Sequence, residues 1–527
     1  MIETLGWREL LHVGGNRFQV DYCEGEGDAR SFFSLRPDDA AGALAARAGG
    51  AYPRAALAEA LGRYLDGVGA PDAARRAATA LADDKVYCII AGQQAGFLGG
   101  PAYTAFKIAT AIRLAASWQE RLGVRVVPLF WLASEDHDLQ EISHAYYQQS
   151  DGEVGRVSFG WEGEGRPVAD LPVSADVLRA WESYWEALRG ALHREVAMSA
   201  LTAYAGEGYA AWQARVWAEL FAPWGLVVVE PWVLRSLAGD LMAQMAAREP
   251  EIHQRLASVA GSLRAAGYDP ALDPDANGGL FRLDAPGGRR VRVEHGPAVA
   301  DEVARHPERF SADAALRPIL ADGLLPVLAS VLGPGELAYQ AMLAPLYDLL
   351  GVAQPVAYPR QSYTLVSTEE AGRLAAYGTS ARELLVAGRD PSDATDGLAT
   401  AEHRQLFGRA RELVEQAYAP LRDYVAAQDP NLAKTWESTL GSALRSLEKL
   451  DDRALKAALS QRGLSKGELR ALRNLILPRE RLQERVYPLA WHLARHGLGW
   501  LGAMMGWGEL GTWDHRIVTW EDGHADV

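Results

Sequence analysis

The sequence has little cysteine and no apolar run of membrane length, and each shortage excludes a class of protein. Of its 527 residues only two are cysteines, Cys23 and Cys88, which lie far apart. This excludes a disulfide framework and a zinc–thiolate site, and it suits a reducing compartment. No apolar run approaches the ~20 residues of a membrane span. The opening residues, MIETLGWREL, lack the basic-then-apolar layout of a signal peptide. We therefore expect a cytoplasmic protein that binds no membrane.

Basic charge is also in short supply. Asp and Glu outnumber Lys and Arg by 68 to 53, which gives a net charge of −15. Such a chain is poorly suited to neutralising a phosphate backbone, so no nucleic acid is expected as a partner. The sequence also has no internal repeat of fixed period. With 49% apolar and 23% charged residues, it has the composition of a globular protein, and its length suggests about three or four domain-sized units.

The stretch from Lys85 to Tyr146 carries most of the information on the fold. Residues 86–91 form an apolar run rich in β-branched residues, which is typical of a buried strand. A glycine-rich turn follows, then apolar residues at helical spacing over 102–116, then a second apolar run at 126–132. This order predicts an α/β fold with an open sheet, in which ligands bind beyond the carboxyl ends of the strands. The polar residues of the stretch cluster at those two strand ends.

The glycine-rich turn is the first candidate ligand site. Its glycines can bring bare N–H groups close to an anion. The turn is not a Walker A loop, because no Gly-Lys-Ser/Thr closes it, and it does not match GxGxxG. It is therefore either a phosphate-binding loop or a tight strand–helix turn. The candidates for anion binding are Gly92, Gly96, Gly99, Gly100 and, nearly two turns into the following helix, Lys107.

The second candidate site is the acid–histidine run after the second strand. If a helix begins there, His137, Glu141 and His144 share one face, an arrangement that can bind a metal ion. The pattern is not HExxH, so we predict a polar pocket with no metal site. A metal-dependent hydrolase built on these three residues remains the alternative.

Five stretches of the chain resemble the bacillithiol-biosynthesis cysteine-adding enzymes, the BshC family. They are GQQAGFLGGPAYTAFK at 92–107, PLFWLASEDHDLQEISH at 128–144, LRPILADGLLPVLASVLGPGELAY at 316–339, YPRQSYTL at 358–365 and LILPRERLQERVYP at 475–488. The resemblance implies a Rossmann-like parallel-sheet core interrupted by helical insertions, an antiparallel coiled-coil arm, and a homodimer formed through that arm. It also implies a ligase that joins cysteine to the amine of glucosaminyl-malate, the last step of bacillithiol biosynthesis.

Amide formation from a carboxylate requires activation of that carboxylate and a base for the proton of the amine. ATP or another nucleotide is therefore expected. We assign the base to Asp136 or His137, with Asp138 orienting the histidine. Arg360 is expected to grip the malate carboxylates as a bidentate fork. The full set of expected substrate-binding residues is Gln93, Gln94, Thr104, Ser134, Glu141, His144, Glu336, Tyr339 and Arg360, in which Ser134 departs from the glycine that we expect there.

The chain divides into five segments. We assign 1–150 to the first part of the core, 151–225 to a mainly helical insertion, 226–366 to the second part of the core with a β-hairpin near 280–294, 367–475 to the arm, and 476–527 to a C-terminal helix and tail that return to the core. The arm shows two apolar seams at a spacing of three and four. The seams are Phe407, Ala410, Val414, Ala417, Leu421 and Tyr424, then Trp436, Leu440, Ala443, Leu447, Leu450 and Ala454. A non-catalytic scaffold that acts through this arm is a further alternative.

Overall fold

The computed structural model describes residues 1–136, 139–161, 165–283, 288–293, 296–387 and 399–521. The chain forms two units. The core unit comprises Met1–Tyr147, Gly155–Leu365 and Arg481–Val527, and the arm unit comprises Gln148–Val154 and Val366–Glu480. The core unit is therefore assembled from three separate lengths of chain.

A five-stranded parallel sheet forms the centre of the core unit. Its strands are β1 (Val86–Gln93), β2 (Arg125–Leu132), β3 (Val227–Val229), β4 (Val327–Leu332) and β5 (Val356–Pro359). They lie side by side in the order β3-β2-β1-β4-β5, and every neighbouring pair is parallel. This is the doubly wound order of a Rossmann-like fold, so the prediction of fold class is confirmed.

The strand order reverses between β1 and β4, and this switch point positions the site. From β1 the chain proceeds outward to β2 and β3, and it then returns to the other side of β1 as β4. The connections on the two sides leave a crevice at the carboxyl ends of β1 and β4, where ligands of such folds bind. Helix α1 (Tyr103–Leu122) follows β1, and helix α2 (Pro334–Leu350) follows β4, so both begin at this crevice.

Helices and small sheets surround this centre. The remaining α-helices of the core unit are Arg17–Glu24, Ala40–Arg47, Arg54–Gly67, Asp72–Ala80, Leu139–Ile142, Ala175–Ala187, Arg194–Ala200, Tyr209–Leu220, Gly239–Ala247, Glu249–Ala265, Pro297–Arg305, Leu316–Leu324, Gln483–Val486, Leu489–His496 and Gly499–Ala503. The remaining strands are Ile2–Leu5, His144–Gln148, Val154–Ser158, Leu280–Leu283, Arg290–Arg292, Phe310–Ala312, Ser362–Ser367 and His515–Trp520. Leu280–Leu283 pairs antiparallel with Arg290–Arg292, and the turn residues 284–287 lie outside the described residues.

The arm unit contains the coiled coil. Its helices are Thr368–Ala376, Ala381–Ala387, α3 (Ala401–Gln428), α4 (Leu432–Gln461) and Lys466–Ile476. The indole of Trp436 donates a hydrogen bond to the carbonyl of Tyr418, and the His403 ring contacts Asp451 at 2.6 Å. Position 418 thus faces 436 while 403 faces 451, so α3 and α4 run antiparallel, as the sequence predicts.

The seam of α3 differs in its second half from the predicted one. Phe407, Ala410 and Val414 are partly buried, but the next partly buried positions are Tyr418 and Val425. The predicted seam residues Ala417, Leu421 and Tyr424 are exposed. The steps from 407 to 414, 418 and 425 average 3.6 residues per turn, the period of a straight helix. The prediction assumed the 3.5-residue period of a supercoiled seam, and the two periods diverge over several turns.

Among the described helices, none combines the length and the apolar character needed to cross a bilayer.

Candidate active site

A cavity of about 780 Å³ opens at the switch point of the sheet. Its wall includes Gly92 and Gln93 at the end of β1 and the Gly333–Glu336 segment that follows β4. This volume lies within the range of roughly 300–1,000 Å³ that is usual for small-molecule sites. The cavity brings together many of the residues predicted from sequence, namely Gly92, Gln93, Gln94, Gly96, Lys107, Asp136, Glu141, His144, Glu336, Tyr339 and Arg360.

Lys107 connects the two sides of the switch point. Its ammonium group donates to the carbonyl of Gly92 at 2.9 Å, to Oε1 of Gln93 at 2.8 Å and to Oε2 of Glu336 at 2.6 Å. Burial lowers the pKa of Lys107, and the charge of Glu336 offsets only part of this effect. An ammonium group has three N–H donors, and all three are used here. Lys107 therefore lies at the predicted anion site but has no free donor for an anion, which limits it to positioning and charge.

Glu336 also caps the helix that it begins. Its Oε2 accepts the N–H of Gly333 at 2.6 Å, which is the glutamate half of a capping box. The same carboxylate thus fixes the first turn of α2 and neutralises Lys107. These contacts give Glu336 a structural role at the cavity wall in addition to any contact with substrate.

Asp136 lies on the cavity wall and forms an ion pair with Arg317. Its two oxygens accept hydrogen bonds from Nη1 and Nη2 of Arg317 at 3.1 and 2.7 Å, and Nη1 of Arg290 is 3.9 Å away. Burial alone would raise the pKa of Asp136, but the charge and hydrogen bonds of Arg317, together with Arg290 and Gln94, hold it below its ordinary value. A carboxylate with a lowered pKa is a weak base.

The acid–histidine run does not form the helical face that the sequence suggested. The helix covers only Leu139–Ile142, and His144 begins the strand His144–Gln148. The expectation that His144 continues a helical face with Glu141 is therefore wrong. Glu141 and His144 both line the cavity, while His137 and Asp138 lie outside the described residues. The described residues contain no group of three His, Cys, Asp or Glu side chains that could hold a metal ion.

Arg360 is not available as a fork for a substrate carboxylate. Its Nη1 and Nη2 donate to Glu484 at 3.0 and 2.5 Å, in a pair where both side chains are buried. Glu484 also accepts hydrogen bonds from the Ser362 hydroxyl and the Tyr363 N–H. The bidentate face predicted to bind malate is therefore occupied by Glu484, and Arg360 adds only its remaining edge to the cavity wall.

Four predicted residues do not reach the cavity. The first two are Gly99 and Gly100, which have φ angles of +85° and +62° and lie in a turn that folds back on itself. A Cβ added at Gly96 would be 2.6 Å from the Cα of Gly100, so this part of the motif is a tight strand–helix turn. Thr104 and Ser134 are fully buried and likewise do not line the cavity. All four were selected from their place in a motif, which does not reveal whether a residue faces the cavity.

Replacing Gly99 with alanine is expected to lower the free energy of unfolding by about 2 kcal/mol or more. A residue with a Cβ is strained at positive φ, and here that Cβ would lie 2.7 Å from the side chain of Leu489. Chemical denaturation measures the loss. Gly62→Ala serves as control, because Gly62 lies in the helix Arg54–Gly67 with open space around it, and alanine there should be neutral or stabilising. Equal stability of Gly99→Ala and wild type would contradict the strain argument.

Sequence reasoning missed three arginines of the cavity wall, Arg317, Arg481 and Arg485. All three lie in stretches that carry the family resemblance, but no local motif assigns them a role. Arg481 is exposed, and within the described residues it makes no hydrogen bond or ion pair. Arg485 donates one N–H to the carbonyl of Gly14, and its buried Nε has no partner. These two residues, unlike Lys107, line the cavity and keep unused cationic donors.

The fold and the cavity together define a Rossmann-like ligand-binding protein with a coiled-coil extension. Two family models cover the chain, one described as "Bacillithiol biosynthesis BshC, N-terminal Rossmann-like domain" at residues 5–361, the other as "Bacillithiol biosynthesis BshC, C-terminal coiled-coil domain" at residues 363–520. The chain belongs to the bacillithiol biosynthesis BshC family.

Curated relatives are similar to this chain over most of its length. A protein of Symbiobacterium thermophilum is 30% identical over 511 residues, which cover 89% of this chain and 91% of that protein. One of Geobacillus kaustophilus is 27% identical over 544 residues, with 97% and 99% covered. One of Geobacillus thermodenitrificans is 29% identical over 498 residues, with 89% and 90% covered. Each is named "Putative cysteine ligase BshC".

Proposed function

We propose that this protein is a cytoplasmic ligase that forms an amide bond between the carboxyl group of cysteine and the amine of glucosaminyl-malate. The observation that carries this proposal is the cavity at the switch point, whose wall contains two arginines with unused N–H donors, Arg481 and Arg485, together with a set of carboxylates. The names of the relatives support cysteine as one substrate, and the amine of glucosaminyl-malate is our proposal for the other. A built cavity of this size favours an enzyme over a scaffold that acts only through its arm.

The free cationic donors fit an anionic partner. The buried Nε of Arg485 has no acceptor, and the exposed guanidinium of Arg481 lines the same cavity. Arginine donors match the oxygens of phosphate and carboxylate groups, so these side chains would hold the phosphates of ATP or another nucleotide, or the malate carboxylates. The nucleotide supplies the activation of the cysteine carboxylate. In the protein, Lys107 adds positive charge beside the reacting groups and keeps Gly92, Gln93 and Glu336 in place.

The carboxylates of the cavity can hold the incoming amine of glucosaminyl-malate by charge. Asp136 stays ionised because Arg317 holds its pKa low, so it can hold the incoming amine by charge and orient it. The base is better sought in a group whose pKa lies near neutrality. His137 is that candidate from sequence, because the ordinary pKa of a histidine is about 6.5. This division gives Asp136 a positioning role and leaves proton removal to its neighbour.

Product analysis tests the proposed reaction. Purified protein is incubated with glucosaminyl-malate, cysteine and ATP, and mass spectrometry monitors the cysteinyl adduct. We expect the adduct with all three reactants and none when cysteine is omitted. An Arg481→Met, Arg485→Met variant serves as a site control and should form the adduct at least about 10-fold more slowly at limiting substrate. Absence of the adduct with wild-type protein and every common nucleotide would refute the ligase assignment.

We further propose a homodimer formed through the arm. Helix α3 carries a second apolar stripe outside its seam with α4, and its large members are 49–66% exposed. This stripe consists of Leu406, Leu413, Leu421 and Tyr424. Their spacing of seven, eight and three residues places them on one helix face, so a second copy of the same face can cover them in a symmetric contact.

Glutamates at Leu413 and Leu421 are expected to convert the dimer to a monomer, because each carboxylate would have to be buried without a partner. Leu440 and Leu447 are not suitable targets, because they belong to the partly buried seam of the hairpin itself. Sedimentation velocity measures the shift at tens of micromolar. Gln416→Glu with Ala419→Glu, two exposed sites off the stripe, should leave the dimer intact. A wild-type monomer would show that the stripe has another function.

A further inference from the structure

The cavity has an inner end that differs in chemistry from its arginine-lined part. This inner pocket is lined by Ile90, Ala321, Asp322, Ser330, Tyr339 and Gln340. Asp322, Ser330 and Gln340 are only 2%, 6% and 4% exposed. Within the described residues, the side chains of Ser330, Tyr339 and Gln340 make no hydrogen bond. Buried polar groups are normally paired, so the two buried and unpaired side chains of Ser330 and Gln340, with the partly buried Tyr339 beside them on the cavity wall, indicate a place where a ligand supplies the partners.

Asp322 is the charged member of the inner pocket. The hydroxyl of Tyr347 donates to its Oδ2, and Oδ1 has no partner among the described residues. The nearest cation, Arg47, donates to the carbonyl oxygens of Val327 and Asp322 rather than to the carboxyl group. Burial raises the pKa of Asp322 to about 6, more than Arg47 and the Tyr347 hydrogen bond lower it. The carboxylate is therefore only partly compensated by the protein.

Regular elements hold these groups in place. Ser330 lies in β4 directly opposite Ile90 of β1. Gln340 and Tyr347 are seven residues apart on α2, so they share one helix face, and Tyr347 ties that face to Asp322 in the helix Leu316–Leu324. Three regular elements thus carry three acceptors, and all three residues line the same cavity.

A primary ammonium group matches this pocket. It has three N–H donors, which the free oxygen of Asp322, the Ser330 hydroxyl and the Gln340 amide oxygen can accept. Its positive charge completes the compensation of Asp322, and the apolar surfaces of Ile90 and Ala321 suit the short side chain of a thiol amino acid. We propose that the inner pocket binds the α-ammonium group of the amino-acid substrate, with Asp322 as counter-ion. This inference rests on the proposed ligase function.

The two amines of the proposed reaction have opposite needs, which favours this assignment. The sugar amine must lose a proton and react, whereas the amine of cysteine must stay protonated and unreactive. A buried carboxylate stabilises the protonated form. Glucosaminyl-malate is also the larger molecule and carries carboxylates, which suit the arginines Arg481 and Arg485 instead. The inner pocket therefore selects the small zwitterion.

Comparison of cysteine with 3-mercaptopropionate tests the proposal, because the analogue keeps the thiol and the carboxyl group but lacks the amine. Wild type should prefer cysteine by about 10²-fold or more in kcat/KM, since a site built for a hydrogen-bonding group rejects an analogue without it. Asp322→Asn retains an acceptor for Tyr347 and should lose most of this preference, with the KM for glucosaminyl-malate unchanged. Asp348→Asn, an exposed change on α2, should keep the preference.

Other outcomes overturn the proposal. A preference for cysteine that survives in Asp322→Asn would do so. So would an equal fall in kcat with both thiols at unchanged KM for cysteine, which would make Asp322 a base for the other amine. If Asp322→Asn does not fold, Ser330→Ala takes its place, with an expected loss of about 10-fold in kcat/KM for cysteine alone. If wild type makes no product, calorimetry with the two thiols decides, and equal affinity for both overturns the pocket independently of the reaction.

Discussion

Replacing Asp136 with asparagine is expected to lower the turnover of the proposed reaction by about 10²-fold or more. Asparagine loses the charge that orients the amine, and it cannot accept both hydrogen bonds from Arg317, whose side chain is only 12% exposed. Misplacement of a reacting group by about 1 Å can cost about 10²-fold in rate. His137→Ala carries the same expectation from the sequence. Asp240→Asn, an exposed change on the helix Gly239–Ala247, is the matched control and should have wild-type turnover.

The pH profile of kcat/KM separates the two candidates for the base. A base works only when deprotonated, so activity falls as the pH drops below its pKa. Arg317 holds the pKa of Asp136 below the ordinary value of an aspartate, about 3.9, so an acid limb from Asp136 would lie below that ordinary value. A histidine base places that limb near its ordinary pKa of about 6.5. We expect the limb near neutrality in wild type and in Asp136→Asn, whose residual activity should keep the same profile. A limb below pH 4 would restore Asp136 as the base.

Replacing Arg360 with methionine is expected to destabilise the protein by about 3–5 kcal/mol. Glu484 has no exposed surface, and the change would leave its charge buried opposite an apolar side chain. The double variant Arg360→Met, Glu484→Gln should recover part of this loss, because glutamine keeps an acceptor for Ser362 and Tyr363 without the charge. Denaturant unfolding of the four proteins measures the coupling. Strictly additive losses would show that the two side chains act independently.

The same pair predicts how stability depends on pH. Burial would raise the pKa of Glu484, but the charge and hydrogen bonds of Arg360 hold it below its ordinary value. The carboxylate is thus protonated at a lower pH in the folded protein than in the unfolded chain. Its contribution to stability is complete above the unfolded pKa of about 4.3 and is lost as the pH falls through the folded pKa. In Arg360→Met this contribution should be absent, so the variant should lose less stability than wild type on acidification.

The sequence predicted the fold well because the fold depends on patterns along the chain. The apolar runs at 86–91 and 126–132 became β1 and β2, and the glycine turn and helix between them lie where expected. The arm could be predicted equally well from the sequence, since two apolar seams and a short loop specify a helical hairpin. Its register failed beyond Val414 because the choice between periods of 3.5 and 3.6 depends on supercoiling, which only the packed pair determines.

The site was less predictable because ion pairing is a property of the folded molecule. Arg360 was a reasonable fork for a carboxylate until the structure placed Glu484 against it, 124 residues further along the chain. Lys107 lines the cavity, as predicted. Its three N–H donors, however, are taken by Gly92, Gln93 and Glu336, and no spacing rule along the chain shows this. Arg317 and Arg485 were passed over for the converse reason. An arginine in a helix has no local signature of a ligand-binding residue, and only its burial and its contacts in the folded protein identify it.

The assembly of the core unit from three lengths of chain has a consequence for any attempt to divide this protein. The two family models meet near residue 362, and the boundary suggests a cut there. The polypeptide leaves the core unit after Leu365 and re-enters it at Arg481, so the downstream piece carries Glu484 and Arg485. A fragment ending at 361 would retain the whole parallel sheet but strand a buried arginine without its counter-charge and remove two cationic groups of the cavity. Homology boundaries and folding boundaries therefore do not coincide in this chain, and the two gene halves would have to be co-expressed to reconstitute the cavity.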